Sequence, residues 1–66
     1  EGKAEAMLET LYDYFVRHPE KMPSEYIEIA EKEGVPRAAA DYISGMTDRY
    51  AINQYKRLFI PEPFRG

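Results

Sequence analysis

The hydrophobic positions in the first part of the chain follow a helical period. Apolar residues recur at the spacing of one α-helical face: Ala4, Leu8, Leu11 and Phe15. Charged residues occupy another face, as expected for solvent contact: Glu5, Glu9, Asp13 and Arg17. We therefore predict a helix from about Lys3 to His18. It should end at Pro19, because the residue before a proline is disfavoured in the α region.

A shorter apolar stripe follows a turn that is bracketed by prolines, Pro19–Pro23. This stripe predicts a second helix from about Ser24 to Glu33. Ser24 is the predicted N-cap, since a serine hydroxyl can accept from the first free backbone amides. Gly34 stands at the C′ position, where glycine adopts a left-handed conformation without strain.

The last apolar pattern predicts one long helix, Pro36–Phe59, in which Gly45 is the only interruption. Proline favours the first helical position. A helix of that length would extend roughly 35 Å, more than the two shorter helices can cover. We therefore expect open apolar surface of the kind that marks an interface. Residues Ile60–Phe64 should form an extended, proline-rich tail.

Together these patterns predict an all-α fold, namely a small helical unit of about three helices with one long C-terminal helix and no sheet. The 66 residues allow one domain, which we take as residues 1–66. A core of this size is marginally stable unless something assists it.

Composition argues against several classes of function. The chain has no cysteine and a single histidine, His18, so a disulfide or a zinc site of the usual ligands is not expected. A net charge of −3 argues against a nucleic-acid platform, and no apolar run approaches the length of a membrane span. The lack of cysteine fits the cytoplasm. The N-terminus lacks the pattern of a signal peptide. Because the sequence begins without methionine, we expect it to be cut from a longer protein.

Two aspartates in the third segment are candidates for chemistry. Asp41 and Asp48 would share a face of the long helix, where paired carboxylates can serve acid–base work or bind a divalent cation. They would be roughly 10 Å apart along the axis, however, too far for one ion to bridge. We favour a structural interpretation, in which Asp48 pairs with Arg49 or another cation and Asp41 is stabilised by the dipole of the helix start. His18 has no nucleophile near it in sequence, so we assign it no catalytic role.

Gly45 would weaken the middle of a helix by up to about 1 kcal/mol relative to alanine. Its small neighbours favour close packing of a second helix here, with a kink as the competing interpretation. These neighbours include Ala38, Ala39, Ala40, Ser44 and Ala51.

The string from Asp41 to Ala51, DYISGMTDRYA, is more specific than a general helical pattern. It resembles the C-terminal signature of the bacterial deoxyguanosine triphosphate triphosphohydrolases and their relatives in the HD phosphohydrolase superfamily. The order of the surrounding segments is also similar, with Leu11–Phe15 and His18–Pro23 before the string and Tyr55–Phe59 after it.

The resemblance implies an all-α parent enzyme that hydrolyses deoxynucleoside triphosphates to deoxynucleoside and triphosphate. Such enzymes use a divalent metal such as Mg²⁺ or Mn²⁺, held by a histidine, a His-Asp doublet and a further aspartate. This sequence contains no His-Asp doublet, so no catalytic, metal-binding or cofactor role transfers to it. What transfers is a helix that lies near, or braces, the active site of the parent. Its motif residues are Asp41, Tyr42, Gly45, Thr47, Asp48, Arg49 and Tyr50.

The resemblance also implies an upstream HD catalytic domain of the same protein as a partner. The open apolar surface predicts a homo-oligomer, in which that domain or a second copy covers it, and for the isolated chain most simply a two-fold dimer. No membrane or nucleic-acid partner is expected. An alternative function is a stand-alone helical protein-interaction module without enzymatic activity. A small enzyme in its own right is the least favoured alternative.

Overall fold

The computed structural model describes residues 2–60, with side chains from residue 5 onward. Residues 2–60 form four α-helices: α1 Gly2–Arg17, α2 Ser24–Glu33, α3 Val35–Ser44 and α4 Asp48–Phe59. A short 3₁₀ turn, Pro19–Lys21, lies inside the predicted proline-bracketed turn. No strand occurs in this part of the chain, and the all-α prediction is confirmed.

The core forms where α1 crosses α3, because the apolar face of α1 meets small residues that allow close approach. Leu11 and Phe15 of α1 are almost fully buried, as are Ala38 and Ala39 of α3. Met22, from the turn before α2, closes the same cluster. α3 packs most extensively against α2 and then against α1, and α4 also packs against α1.

The junction between α2 and α3 agrees largely with the sequence prediction. Gly34 has a φ of 99°, the left-handed value that glycine adopts without strain, and its amide donates to Ala30. Pro36 lies in the first turn of α3, one residue after its start. The predicted N-cap of α2 is wrong, because Ser24 is already helical and Pro23 precedes it without a side-chain cap.

The prediction of one long helix is also wrong, because the chain breaks at Gly45–Thr47 into α3 and α4. Thr47 is the N-cap of α4, and its hydroxyl accepts a hydrogen bond from the Tyr50 amide at 3.1 Å. Asp48 follows in the first turn, where a negative charge interacts favourably with the helix dipole. A local signal for a helix start therefore overrides the apolar period that runs through it.

The prediction that a second helix packs closely against Gly45 is also wrong for the described residues. A Cβ atom placed there would meet its nearest neighbours at 3.6–3.9 Å, which is ordinary van der Waals contact. Two of those neighbours are carbonyl oxygens of its own helix, those of Asp41 and Tyr42. Of the small residues, Ala38, Ala39 and Ala51 are buried, whereas Ala40, Ser44 and Gly45 are exposed.

Beyond Ile60, the predicted proline-rich tail lies outside the described residues. Among the helices within residues 2–60, none has the length and apolar character needed to cross a membrane.

Candidate functional site

The helix break divides the motif residues between two surfaces. The motif comprises the last turn of α3, the break and the first turn of α4. One surface is a cluster of tyrosines that also involves α2, and the other is an apolar groove that also involves α1. Met46 and Thr47, at the break, line both.

We name the first surface the tyrosine cluster and define it as Tyr26, Tyr42 and Tyr50. The hydroxyls of Tyr42 and Tyr50 share a hydrogen bond of 2.9 Å across the break. The ring of Tyr42 lies 4.9 Å from that of Tyr26, centroid to centroid, and 5.0 Å from that of Phe15 in the core. The cluster and the residues of the break enclose a shallow cavity of about 310 Å³.

The environment of Tyr42 keeps its hydroxyl protonated. Burial raises the pKa of Tyr42 well above its usual range, and its hydrogen bond with the Tyr50 hydroxyl raises it further. The positive charge of Arg57 acts in the opposite direction but does not overcome burial. A general base needs a pKa near the working pH, so Tyr42 is not suited to that role. It is suited to holding α3 and α4 together.

We name the second surface the apolar groove, a depression of about 540 Å³ between α1, α3 and α4. Its large apolar side chains are Met7, Leu8, Tyr12, Ile43, Met46 and Ile52. Small or polar residues complete the lining: Ala40, Ser44, Thr47, Asp48 and Ala51. Ile52 and Tyr12 stay about two-fifths exposed, so this surface is apolar but not closed.

The two candidate aspartates do not share a helix. Asp41 lies in the last turn of α3 and pairs with Arg37 at 3.5 Å, and Arg37 also reaches Glu33 at 3.6 Å. Stabilisation of Asp41 by a helix start is therefore wrong. Asp48 begins α4 and lines the apolar groove, and it makes no ion pair with another described residue. The structure does not bring these carboxylates together as one site.

The remaining charged candidates lie apart from both surfaces or at their edges. Arg49 is exposed and shares a shallow depression with Ile52, Asn53 and Lys56 on α4. His18 lies 3.9 Å from a carboxylate oxygen of Glu20 and against the ring of Tyr14, away from the break.

A divalent metal does not fit the described side chains of this chain. Within residues 5–60, no three His, Cys, Asp or Glu side chains gather closely enough to hold an ion. No chemical step is therefore assigned to a metal on these residues.

Comparison with known proteins shows the family of the chain. A family model, the phosphohydrolase-associated domain, matches residues 1–57, which is most of the sequence. The chain belongs to this family. The phosphohydrolase-associated domain described here is also similar to several curated proteins named deoxyguanosinetriphosphate triphosphohydrolase-like protein.

Three of these relatives show how the similarity is distributed. The protein of Caldanaerobacter subterraneus is 48% identical over 64 residues, which is 97% of this chain and 19% of the relative. The protein of Leptospira interrogans is 50% identical over 52 residues, 79% of this chain and 14% of the relative. The protein of Clostridium perfringens is 42% identical over 60 residues, which is 91% of this chain and 18% of the relative. The chain thus spans less than a fifth of the length of these relatives. No solved structure matches it.

Sequence reasoning missed Tyr26, and it expected open apolar surface without locating it in a groove between α1, α3 and α4. Tyr26 lies on α2, outside the motif, and no spacing relates it to Tyr42. The available hint was general: a tyrosine buried among helices needs a partner for its hydroxyl. The groove is lined by residues of three helices and of the break, so the pattern of one helix could not locate it.

Proposed function

We propose that this phosphohydrolase-associated domain is the C-terminal helical part of a deoxynucleoside triphosphate triphosphohydrolase. The whole enzyme would convert a deoxynucleoside triphosphate and water to a deoxynucleoside and triphosphate. Catalysis, with the divalent metal, would reside in an upstream HD domain. This part would serve by structure, bracing that domain and forming the oligomer, in the cytoplasm.

The observation that carries the proposal is the family match over residues 1–57, together with relatives whose names specify triphosphohydrolase-like proteins. The geometry of the motif supports a bracing role. Tyr42 is buried, and its hydroxyl is paired with that of Tyr50 and held neutral. A side chain whose polar atom is satisfied inside the chain stabilises a helix junction and is poorly placed for proton transfer.

The test compares the full-length protein with the 66-residue chain in one assay. Each is incubated with the four deoxynucleoside triphosphates, with and without manganese, and triphosphate release is measured. We expect metal-dependent release by the full-length protein and none by the chain alone. A variant of the full-length protein in which the His-Asp doublet is replaced by alanines is the control for contaminating hydrolases.

Two results would overturn the proposal. Triphosphate release by the 66-residue chain alone would make it an enzyme. A full-length protein that lacks the doublet and releases no triphosphate would instead support the stand-alone interaction module.

A further inference from the structure

We propose that the apolar groove is the contact surface between two copies of this chain, related by a two-fold axis that runs along the groove. The inference deepens the oligomer-forming part of the proposed function and rests on it. It identifies the surface, the arrangement of the copies and the charges that select this arrangement.

The apolar content of the groove is suited to a protein surface as partner. Ile52 and Tyr12 project from its two sides and remain 42% and 37% exposed. Met7 and Met46 contribute flexible thioethers, which adapt to the shape of an opposing side chain. Burial of such side chains is favourable by roughly 25 cal/mol for each Å² of apolar area removed from water.

The two rims of the groove carry opposite charge. On the α4 side, Arg49 and Lys56 share a shallow depression with Ile52, which itself lines the groove. On the α1 side, Glu5 and Glu9 each lie three residues before a groove residue, which places them beside it on the helix surface.

These four rim residues are exposed, and none makes an ion pair with another described residue. Their charges are thus available to a second molecule. Asp48 also lies on the α4 side, where its negative charge opposes the positive charges of Arg49 and Lys56. The positive N-terminal end of the α4 dipole offsets part of that negative charge.

This distribution of charge makes the surface complementary to itself. A two-fold axis along the groove sets α1 of one copy opposite α4 of the other, and by symmetry repeats that contact. The acidic rim then meets the basic rim twice. An axis across the groove would instead set α1 against α1 and place like charges together, which is unfavourable.

The size of the chain also favours association. A stable interface buries about 800 Å² of the accessible surface of each partner. The whole chain has 5095 Å² of accessible surface, so an interface of that size would leave most of it in solvent. Association of folded copies stabilises the folded state by mass action, and this gain matters most for a domain with so small a core.

The test is reversal of each rim and then of both. Sedimentation equilibrium of the 66-residue chain over about 10–300 μM gives the dimer dissociation constant. The double variants Arg49→Glu with Lys56→Glu and Glu5→Lys with Glu9→Lys should each weaken the dimer by about tenfold or more. The four substitutions combined should restore it to within about threefold. Far-UV circular dichroism confirms that each variant is folded.

The matched control is Lys21→Glu with Lys32→Glu, which makes the same change of net charge at exposed positions of the 3₁₀ turn and α2. It should leave the dissociation constant within about twofold. A wild-type chain that stays monomeric over the whole range would overturn the inference. So would a dimer that withstands both rim reversals, or reversals that fail to compensate each other, since the groove would then have another occupant, such as the upstream domain. Triphosphate release by the full-length protein is measured separately, so failure of the dimer is distinguishable from failure of the proposed hydrolase.

Discussion

The tyrosine cluster and the apolar groove border the same helix break but differ in how complete they are. In the cluster, Tyr42 is buried and its hydroxyl is paired with that of Tyr50 at 2.9 Å. In the groove, Ile52 is 42% exposed and the flanking charges have no partner among the described residues. Tyr50 of the cluster is itself 41% exposed, so exposure alone does not separate the two surfaces. They differ in their polar groups: the hydroxyls of Tyr42 and Tyr50 are paired within the chain, and the charges that flank the groove are not.

This difference separates folding from association. Changes in the cluster should lower the free energy of unfolding, because its packing and hydrogen bonds exist only in the folded chain. Changes in the groove should alter association and leave the folded monomer largely intact, because its side chains are still partly in water. Substitutions of similar size on the two surfaces therefore test whether one stabilises the fold and the other the association.

The largest difference should come from truncation to alanine. Tyr42→Ala removes a ring that contacts Phe15 and Tyr26 and should lower the free energy of unfolding by about 3–5 kcal/mol. Ile52→Ala in the groove should lower it by less than about 1 kcal/mol. Urea unfolding at low micromolar concentration, followed by circular dichroism, measures both. Equal losses would show that the groove is as much a part of the folded core as the cluster.

The dependence of stability on pH should also differ between the two surfaces. The pKa of Tyr42 is raised in the folded chain above its ordinary value of about 10, so the folded state retains the proton at pH values where the unfolded chain loses it. The resulting stability is complete below about pH 10 and declines as the pH rises toward the folded-state pKa, by at most about 1.4 kcal/mol per pH unit. Tyr42→Phe should flatten the decline, and Tyr12→Phe in the groove should not. A slope that is unchanged in Tyr42→Phe would contradict the assignment.

The cap of α4 should contribute less than the ring of Tyr42. Thr47→Ala removes the acceptor for the Tyr50 amide and should lower the free energy of unfolding by about 1 kcal/mol. Thr47→Ser should recover most of that loss, since serine is an equally good cap. The matched control is Thr10→Ala on the exposed surface of α1, where we expect a change within about 0.5 kcal/mol. Equal losses at the two threonines would indicate that the break is not held by its cap.

The smallest effect is expected at Gly45. Its φ of −87° and ψ of −3° suit an L-residue, so Gly45→Ala should raise the free energy of unfolding of the chain by about 0.5 kcal/mol. Thermal melting detects the sign. A loss of stability in the isolated chain would revive the close-packing interpretation. A loss confined to the full-length protein would indicate that another part of that protein packs against this position.

The periodic parts of the fold were predictable from the sequence. The start of α2 was located correctly even though Ser24 is not its cap, and Gly34 ends α2 with the expected left-handed φ. The end of α1 was placed within one residue, at the proline that stops it. These predictions succeed because an apolar period and a proline or glycine act locally.

A break near Gly45 was only the competing interpretation, and the favoured prediction of one continuous helix concealed the tyrosine cluster. The signal was present, since Thr47 followed by Asp48 is a typical helix start, but the continuing apolar period outweighed it. In a straight helix, residues eight positions apart lie about 12 Å apart along the axis. Only a change of direction brings the hydroxyls of Tyr42 and Tyr50 to 2.9 Å. The pairing of those two tyrosines therefore could not be inferred while the helix was assumed to be continuous.

We expect the motif to act by structure and to supply no group to the chemistry, and Asp48→Asn in the full-length protein tests this expectation. The substitution removes a charge that interacts favourably with the N-terminus of α4 and leaves the shape unchanged. The melting temperature and the rate of triphosphate release per folded molecule are measured on the same preparation. We predict a lower melting temperature and a turnover within about threefold of that of the unsubstituted protein. Such a change corresponds to a loss of less than about 1 kcal/mol of transition-state stabilisation. A turnover that falls by about a hundredfold or more at an unchanged melting temperature would place Asp48 in the active site and contradict the account.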